Sequence, residues 1–155
     1  MPIATKSDKI DLSSEIKTEE FALKFSKKIK SQDVIYLYGE MGVGKTTFVR
    51  YLINGLQKEN NEATTEVTSP TFNILNEYQI NKIKINHYDL YRLKSTDELK
   101  DLNLFEEKFT SITLIEWPQI IIEKPKKLIE LYFEYTKDYQ NRFVQIKGLN
   151  FWWIW

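Results

Sequence analysis

The chain has 155 residues, with 22 lysines and arginines against 22 aspartates and glutamates, so its formal net charge at pH 7 is zero. This balance excludes an overall basic field that would hold nucleic acid unaided, so contact with RNA is expected to go through a partner. The absence of cysteine excludes disulfides, thiol nucleophiles and cysteine metal sites, which fits a reducing cytosol. The length predicts one domain.

The first fourteen residues form a polar lead-in without the apolar core of a signal peptide, and no apolar run approaches the ~20 residues of a membrane span. The chain is therefore predicted to be cytoplasmic and to have no membrane contact. An amphipathic helix is predicted next, with Thr18 as its N-cap and with acidic residues following near its positive end. Its apolar stripe consists of Phe21, Ala22, Phe25 and Ile29.

The segment 34–47, VIYLYGEMGVGKTT, reads as a strand, a glycine loop and the start of a helix. Val34 to Tyr38 is an apolar, β-branched and aromatic run, which indicates a strand that is covered on both faces. After the loop, apolar residues recur with the spacing of one helical stripe. That stripe consists of Val49, Leu52, Ile53 and Leu56.

The glycine loop matches the phosphate-binding pattern G-x-x-x-x-G-K-[ST] from Gly39 to Thr46. Glycine permits the backbone conformations that let amide groups converge on a phosphate, and the helix that follows adds its positive end. Lys45 would bring a cation to the outer phosphates, and the Thr46 hydroxyl would be a ligand of Mg²⁺. The flanking strand and helix disfavour the alternative, a turn that binds nothing.

Residues 57–66 are almost free of apolar side chains and are predicted to form a mobile surface loop. Beyond it, the segment Ser69-Pro70-Thr71-Phe72 has two readings. It is either a switch that closes over a γ-phosphate and Mg²⁺, or a turn that enters a strand.

A hairpin around Asn81-Lys82 is predicted, with strands Asn73–Ile80 and Ile83–Tyr88. His87 is expected to be structural or solvated, with a catalytic part as the alternative. Asp89 follows at the carboxyl end of the second strand. It would either bind Mg²⁺ through water or orient an attacking water, or it would cap a turn.

The capping-box spacing from Ser95 to Glu98 predicts a helix that continues through Leu99, Leu102, Phe105 and Phe109. The apolar strand that follows, 111–116, ends in Glu116, and Pro118 stops it. Such a strand is typical of a Walker B element, whose acid contacts the Mg²⁺ shell, although many buried strands also end in a solvated carboxylate.

A second hairpin is predicted from Leu128–Tyr135 and Phe143–Leu149. Arg142 would either reach a nucleotide or remain an exposed turn cation. The aromatic tail Phe151–Trp155 is expected to fold back onto the domain, with contact to a partner as the second choice and a membrane interface as the third.

Four motifs stand in order along the chain: the loop 39–47, the segment 69–72, the run 87–93 (HYDLYRL) and Glu116-Trp117-Pro118. Together they resemble the bacterial TsaE family, also called YjeE, from about Thr18 to Leu149. The resemblance implies an α/β P-loop NTPase-like sheet with flanking helices and antiparallel hairpins in a single domain, 1–150, followed by the tail 151–155.

The resemblance also implies a function. The family is the P-loop ATPase of tRNA threonylcarbamoyladenosine biosynthesis, which binds ATP and Mg²⁺ and joins the TsaD and TsaB proteins. ATP turnover there supports repeated rounds of transfer to tRNA, while the transfer itself belongs to TsaD. Contact with tRNA is accordingly expected only through the complex.

The implied site residues fall into three groups. Asp89 and Glu116 are the implied catalytic residues, and Thr46 with Glu116 would hold the metal. Trp117 would flank the nucleotide or the partner face. Implied nucleotide contacts are Thr18, Glu40, Met41, Gly42, Val43, Gly44, Lys45, Thr46, Thr47 and Arg142. Glu40-Met41 replaces the Asp-Leu that is more usual in the family, a conservative change, and the aromatic tail lies outside the family pattern.

Three other functions compete. A small-molecule kinase would use the same loop but usually adds an arginine-bearing lid, and the chain has only Arg50, Arg92 and Arg142. A GTPase would need an acid where the sequence N-K-I-K ends in Lys84. A non-enzymatic interaction module would bind nucleotide and partner without turnover.

Overall fold

The structure is a computed structural model that describes residues 6–107 and 110–148. The strands are β1 (Ile10–Asp11), β2 (Val34–Tyr38), β3 (Leu75–Ile80), β4 (Ile83–Asp89), β5 (Ser111–Glu116), β6 (Leu128–Tyr135) and β7 (Arg142–Gly148). The helices are α1 (Glu15–Ser26), α2 (Lys45–Glu59) and α3 (Thr96–Lys100), with a 3₁₀ turn at Pro118–Ile120.

The strands form one mixed sheet in the order β1-β7-β6-β2-β5-β4-β3. The four central strands, β6, β2, β5 and β4, are parallel, whereas β3, β7 and β1 pair antiparallel at the two edges. The carboxyl ends of β2, β5 and β4 therefore meet at one edge of the sheet. In a parallel α/β sheet, this edge is where ligands bind.

Apolar side chains cover the sheet on both faces. On one face, Ile35 and Leu37 of β2 pack in the main core, to which α1 and α2 contribute Phe25 and Leu52. On the other face, Val34 and Tyr36 join a smaller cluster, which residues 90–105 and 117–121 complete. The prediction that β2 is covered on both faces is thus confirmed. The predicted stripe of α2, Val49, Leu52, Ile53 and Leu56, is buried throughout.

The predicted α/β fold with two antiparallel hairpins is confirmed. The first hairpin turns at Asn81-Lys82 and pairs Ile80 with Ile83, as expected. Asn81 has φ 53°, a left-handed conformation that suits asparagine in a two-residue hairpin. The second hairpin pairs Tyr135 with Arg142, and both predicted strands are present.

The start of α1 was predicted wrongly. The N-cap is Ser14, not Thr18, because Ser14 has extended backbone angles and its hydroxyl accepts a hydrogen bond from the Lys17 amide. Thr18 lies in the first turn, buried, where its hydroxyl donates to the Ser14 carbonyl at 3.4 Å. Capping residues of the two types have similar preferences, so the sequence alone could not separate them.

The polar lead-in also contains structure that was not predicted. Ile10 and Asp11 form β1, which pairs with Val144 and Phe143 of β7. A strand of two residues is too short for a detectable alternation, and it forms only because β7 offers an unpaired edge.

Two further segments differ from expectation. Helix α3 begins at the predicted capping box, where the Ser95 hydroxyl accepts from the Glu98 amide, but it ends at Lys100. It buries none of its residues, and Asn103 takes a left-handed conformation, so nothing extends the helix. The loop predicted from residue 57 begins instead after Glu59, and the Gln57 side chain is buried and bonded to Thr65.

The remaining expectations concern the termini and the membrane. Phe109, Leu149 and the tail 151–155 lie outside the described residues. Across residues 6–107 and 110–148, none of the helices combines the length and the apolarity that crossing a bilayer requires.

Candidate functional site

The glycine loop occupies the turn between β2 and α2, at the carboxyl edge of the sheet. Gly44 caps α2 with φ 114°, which side chains rarely tolerate. A Cβ on Gly39 would lie 2.8 Å from the Phe133 carbonyl oxygen, so only glycine fits there. The first hydrogen bond of α2 runs from the Phe48 amide to the Gly44 carbonyl, so the amides of residues 45–47 have no acceptor within the helix, an arrangement that suits an anion.

Lys45 is the first residue of α2 and is 4% exposed. Its ammonium donates a hydrogen bond to the Gly39 carbonyl, and the nitrogen lies 3.7 Å from the centre of the Trp117 ring. Burial lowers the pKa of Lys45 below its ordinary value, and the nearby carboxylates of Glu116 and Asp89 offset this only in part. An anionic ligand would favour the charged form further.

Glu116 stands at the end of β5 and faces the start of α2. Its carboxylate accepts a hydrogen bond from the Thr46 hydroxyl, at 3.3 Å to Oε1. Its other oxygen, Oε2, lies 2.7 Å from His87 Nε2. Glu116 is buried, and it is held between the helix that follows the glycine loop and the neighbouring strand.

Asp89 lies directly opposite Glu116 in the register of β4 and β5. Its Oδ2 accepts hydrogen bonds from the hydroxyls of Ser69 and Thr71, at 2.9 and 3.1 Å. Its Oδ1 accepts from the Tyr91 amide at 2.9 Å. Asp89 thus acts as the turn cap that was one of its two predicted roles, and it also ties the segment 69–72 to the edge of the sheet.

Aromatic side chains form one wall of the site. Trp117 directly follows Glu116 and adopts a left-handed conformation, with φ 58° and ψ 57°. Such a conformation is unusual for a bulky residue and marks a constrained position. The Tyr91 ring packs against Trp117 with centroids 4.9 Å apart. Both rings are placed to enclose a ligand that binds over the loop.

These elements enclose a cleft of about 280 Å³. Of the predicted residues, it is lined by Met41, Gly42, Gly44, Lys45, Thr46, Thr47, Asp89, Glu116, Trp117 and Arg142, together with Ser69 and Thr71. Residues from five separate parts of the chain therefore converge on one space.

Thr18 lies in an adjoining cavity of about 320 Å³, which it shares with Gly44, Thr47 and Arg142. The Arg142 guanidinium donates to the Val43 carbonyl at 3.4 Å and stands between the two cavities. A ligand with phosphates in the first cleft would extend past Arg142 into the second.

Two predicted contact residues do not line either cavity with their side chains. Glu40 is exposed and lines a separate surface depression beside Tyr132 and Tyr135. The Val43 side chain is fully buried in the main core, so this residue could offer a ligand only its backbone amide.

Sequence reasoning missed several residues at the site. Ser13, Ser14 and Arg50 line the second cavity, and Tyr91 lines the first. Tyr91 lies two residues after Asp89 in the sequence. This closeness to a predicted site residue was the one signal that could have indicated it. The residues of the second cavity carry no motif and come together only through the fold.

The described residues contain no cluster of three or more His, Cys, Asp or Glu that could hold a metal by itself. A Mg²⁺ ion usually binds through one or two protein oxygens, several waters and the phosphates of a nucleotide. The Thr46 hydroxyl and the Glu116 carboxylate, 3.3 Å apart, fit that requirement.

The chain matches the profile of the family described as threonylcarbamoyl adenosine biosynthesis protein TsaE over residues 12–144. It is 41% identical to the tRNA threonylcarbamoyladenosine biosynthesis protein TsaE of Rickettsia bellii over 82% of this chain and 86% of that protein. The protein of the same description from Rickettsia typhi is 38% identical over 90% of this chain and 94% of its own length.

The fold is similar to the crystal structure of Bacillus subtilis YdiB, with a TM-score of 0.73. The alignment covers 97% of this chain and 90% of the other, at 22% identity, and it supports the α/β fold. Since the family match covers most of the chain and the relatives align over nearly all of it, the chain belongs to the TsaE family of threonylcarbamoyladenosine biosynthesis proteins.

Proposed function

We propose that this chain is a Mg²⁺-dependent P-loop ATPase that supports turnover of the tRNA threonylcarbamoyladenosine modification complex. One observation carries the proposal: Lys45, Thr46, Asp89 and Glu116 line one cleft at the start of α2. Membership of the TsaE family supports the pathway. The domain is expected to span 1–150, and the protein is expected to act in the cytoplasm.

The roles follow from the contacts. The first-turn amides of α2 and the Lys45 ammonium would hold the phosphates, and Thr46 with Glu116 would hold the Mg²⁺ ion. That ion would neutralise charge on the β- and γ-phosphates as the terminal phosphoryl group departs. Asp89 would orient the attacking water or join the metal shell through water. The Ser69 and Thr71 hydroxyls donate hydrogen bonds to Asp89, and through them the segment 69–72 would respond to an occupied site.

Hydrolysis by the isolated chain is expected to be slow. Arg50 forms an ion pair with Glu15, and Arg92 lies over the Phe72 ring. Arg142 lines the cleft, but its guanidinium donates a hydrogen bond to the Val43 carbonyl of the glycine loop at 3.4 Å. Each of the three guanidinium groups is engaged in another contact, whereas an arginine that stabilises charge on the departing phosphoryl group typically accelerates turnover by 10³–10⁵. The missing stabilisation would come from TsaD and TsaB, and tRNA would be contacted only through them.

The structure disfavours guanine recognition by Asn81-Lys82. These residues form the turn that precedes β4, whereas Asp89 ends that strand. A strand of seven residues spans roughly 20 Å, so the turn is remote from the cleft. ATP is therefore the expected nucleotide. A kinase is also disfavoured, because no described segment carries an arginine cluster over the cleft.

The test measures ATP binding, ATP hydrolysis and tRNA modification. Lys45→Ala should abolish nucleotide binding and support of modification by TsaD and TsaB. Lys58→Ala, in the last turn of the same helix and exposed, is the matched control and should behave as wild type. An ATP-dependent pull-down against TsaB and TsaD tests the partnership. Hydrolysis at equal rates with and without these proteins would contradict the proposed stimulation, and phosphoryl transfer to a metabolite would favour the kinase.

A further inference from the structure

His87 and Glu116 form a buried pair below the cleft. His87 Nε2 lies 2.7 Å from Glu116 Oε2, and the side chains are 0% and 3% exposed. His87 is opposite Leu114 in the register of β4 and β5, two residues before the end of each strand. His87 therefore contacts Glu116 from the strand side, while Thr46 contacts it from the helix side at 3.3 Å. Water is excluded from the contact with His87.

The direction of this hydrogen bond follows from the chemistry of the two groups. An ionised carboxylate only accepts hydrogen bonds, so His87 Nε2 must carry the proton and donate it. His87 Nδ1 is buried and has no hydrogen-bond partner among residues 6–107 and 110–148. The single polar contact of the imidazole within that part of the chain is thus the one with Glu116.

We propose that His87 is a positioning residue that directs the Glu116 carboxylate toward Thr46 and the metal shell. The proposal rests on the proposed function, because it assigns His87 to that site. His87 holds one carboxylate oxygen, Oε2, at 2.7 Å, and the Thr46 hydroxyl lies nearer to the other oxygen, Oε1, at 3.3 Å than to Oε2 at 3.5 Å. Glutamate has three rotatable side-chain bonds, so without His87 the carboxylate would sample other directions. Groups that orient metal ligands typically change metal affinity by 10–100-fold.

The test compares how much Mg²⁺ strengthens the binding of a non-hydrolysable ATP analogue, measured by calorimetry with Mg²⁺ and with EDTA. His87→Leu fills the space without a donor and should reduce the gain from Mg²⁺ by about 10–100-fold, while affinity in EDTA stays unchanged. His87→Gln places an amide donor near the position of Nε2 and should keep the gain. Thr113→Val is the matched control, since Thr113 is buried in β5 and its hydroxyl has no hydrogen-bond partner among the described residues.

Three outcomes decide the matter. An unchanged Mg²⁺ gain in His87→Leu, or an equal loss in His87→Gln, would overturn the positioning role. If His87→Leu does not fold, His87→Asn replaces it, because this polar side chain is one carbon shorter than glutamine and cannot reach Glu116. A wild-type protein that binds no magnesium nucleotide would overturn the proposed function and the positioning role together.

A second measurement does not depend on nucleotide. His87 is the one histidine in the sequence, so its ring nitrogens are unambiguous in a nitrogen-15 NMR spectrum. The proton is expected on Nε2, and Glu116→Gln should shift that signal while Thr113→Val leaves it in place. A neutral ring protonated on Nδ1 would contradict the hydrogen bond to Glu116 and overturn the proposal.

Discussion

The ammonium nitrogen of Lys45 lies over the Trp117 ring, 3.7 Å from its centre, and donates a hydrogen bond to the Gly39 carbonyl. Neither partner carries a net charge, so a triphosphate would attract this cation more strongly than both. Lys45 therefore links the glycine loop to Trp117, and ligand binding at the loop should change the environment of the Trp117 ring.

A first prediction uses this link. Adding magnesium ATP should change the intrinsic fluorescence of the protein, because the ammonium moves off the Trp117 ring toward the phosphates. Trp117→Phe should abolish this change while retaining an aromatic ring under Lys45. Because Trp152, Trp153 and Trp155 also fluoresce, the response of Trp117 is taken as the difference between wild type and Trp117→Phe. A nucleotide-dependent change that survives in Trp117→Phe would contradict the link.

A second prediction concerns the charge of Lys45. Its pKa is lowered in the folded protein by burial, so between that pKa and the ordinary value of 10.5 the unfolded chain binds more protons than the folded one. Stability should rise with pH through this window, and at neutral pH the buried charge is destabilising. Without nucleotide, Lys45→Met should therefore be more stable at pH 7, by about 1 kcal/mol.

This advantage should shrink as the pH approaches 10, and it should reverse at saturating magnesium ATP, which stabilises only the wild type. Urea unfolding at several pH values measures both effects, with Lys58→Met as the exposed control. A Lys45→Met protein that is less stable than wild type at pH 7 without nucleotide would count against a destabilising buried charge.

A third prediction concerns Asp89 and the segment 69–72. Hydrogen bonds to a charged group are worth about 1.5–3 kcal/mol, and Asp89 accepts two from Ser69 and Thr71. Asp89→Ala should release the segment and raise its amide hydrogen exchange. Asp89→Asn keeps an acceptor for the Tyr91 amide and an amide group toward the hydroxyls, so exchange should rise less, although hydrolysis should fall in both. Equal amide exchange of residues 69–72 in wild type and both variants would show that Asp89 does not hold this segment in place.

A fourth prediction separates binding from chemistry at Glu116. Glu116→Gln preserves the size of the side chain but removes its charge. Nucleotide should still bind through the loop and Lys45, while hydrolysis falls by about 10²-fold or more. Single-turnover kinetics with a parallel binding titration measures both quantities. Hydrolysis at the wild-type rate in Glu116→Gln would show that the charge of Glu116 is not needed for catalysis and that its role is structural.

A fifth prediction lies outside the site. Asp33 is buried, burial raises its pKa above 3.8, and it accepts a hydrogen bond from the Lys30 amide. The folded state therefore holds this proton to higher pH than the unfolded chain does. The charged form of Asp33 therefore destabilises the folded protein. This destabilisation is absent below the ordinary pKa of an aspartate and complete once the pH exceeds the pKa of Asp33 in the folded state. Asp33→Asn keeps the acceptor and should be more stable at neutral pH by about 1 kcal/mol, with no difference near pH 3.

The exposed Asp138 supplies a control of opposite sign. Hydrogen bonds from the Thr136 hydroxyl and the Gln140 amide lower the pKa of Asp138, so its charged form favours folding above the ordinary pKa. Asp138→Asn should be slightly less stable than wild type at neutral pH. At pH 7, the Tm should be higher than that of wild type in Asp33→Asn and lower in Asp138→Asn. A change of both Tm values in the same direction would contradict the role of burial at Asp33.

The sequence by itself determined those features that depend on neighbours along the chain. Strand β2, the glycine loop and the start of α2 follow from residues 34–56 alone, because strand and helix periodicity and glycine conformation are local. The capping box at Ser95 and the turn at Asn81-Lys82 were predicted for the same reason. Where two local signals competed, as at Ser14 and Thr18, the sequence offered no means to choose.

Only the tertiary structure decided which distant side chains meet. The order β2-β5-β4 brings Glu116 to Thr46, and the register of β4 with β5 sets Asp89 opposite Glu116 and His87 below it. Strand order and register depend on which apolar faces pack together across many residues, and no short pattern encodes this. The second cavity, strand β1 and the contact of His87 with Glu116 therefore became visible only in the folded chain.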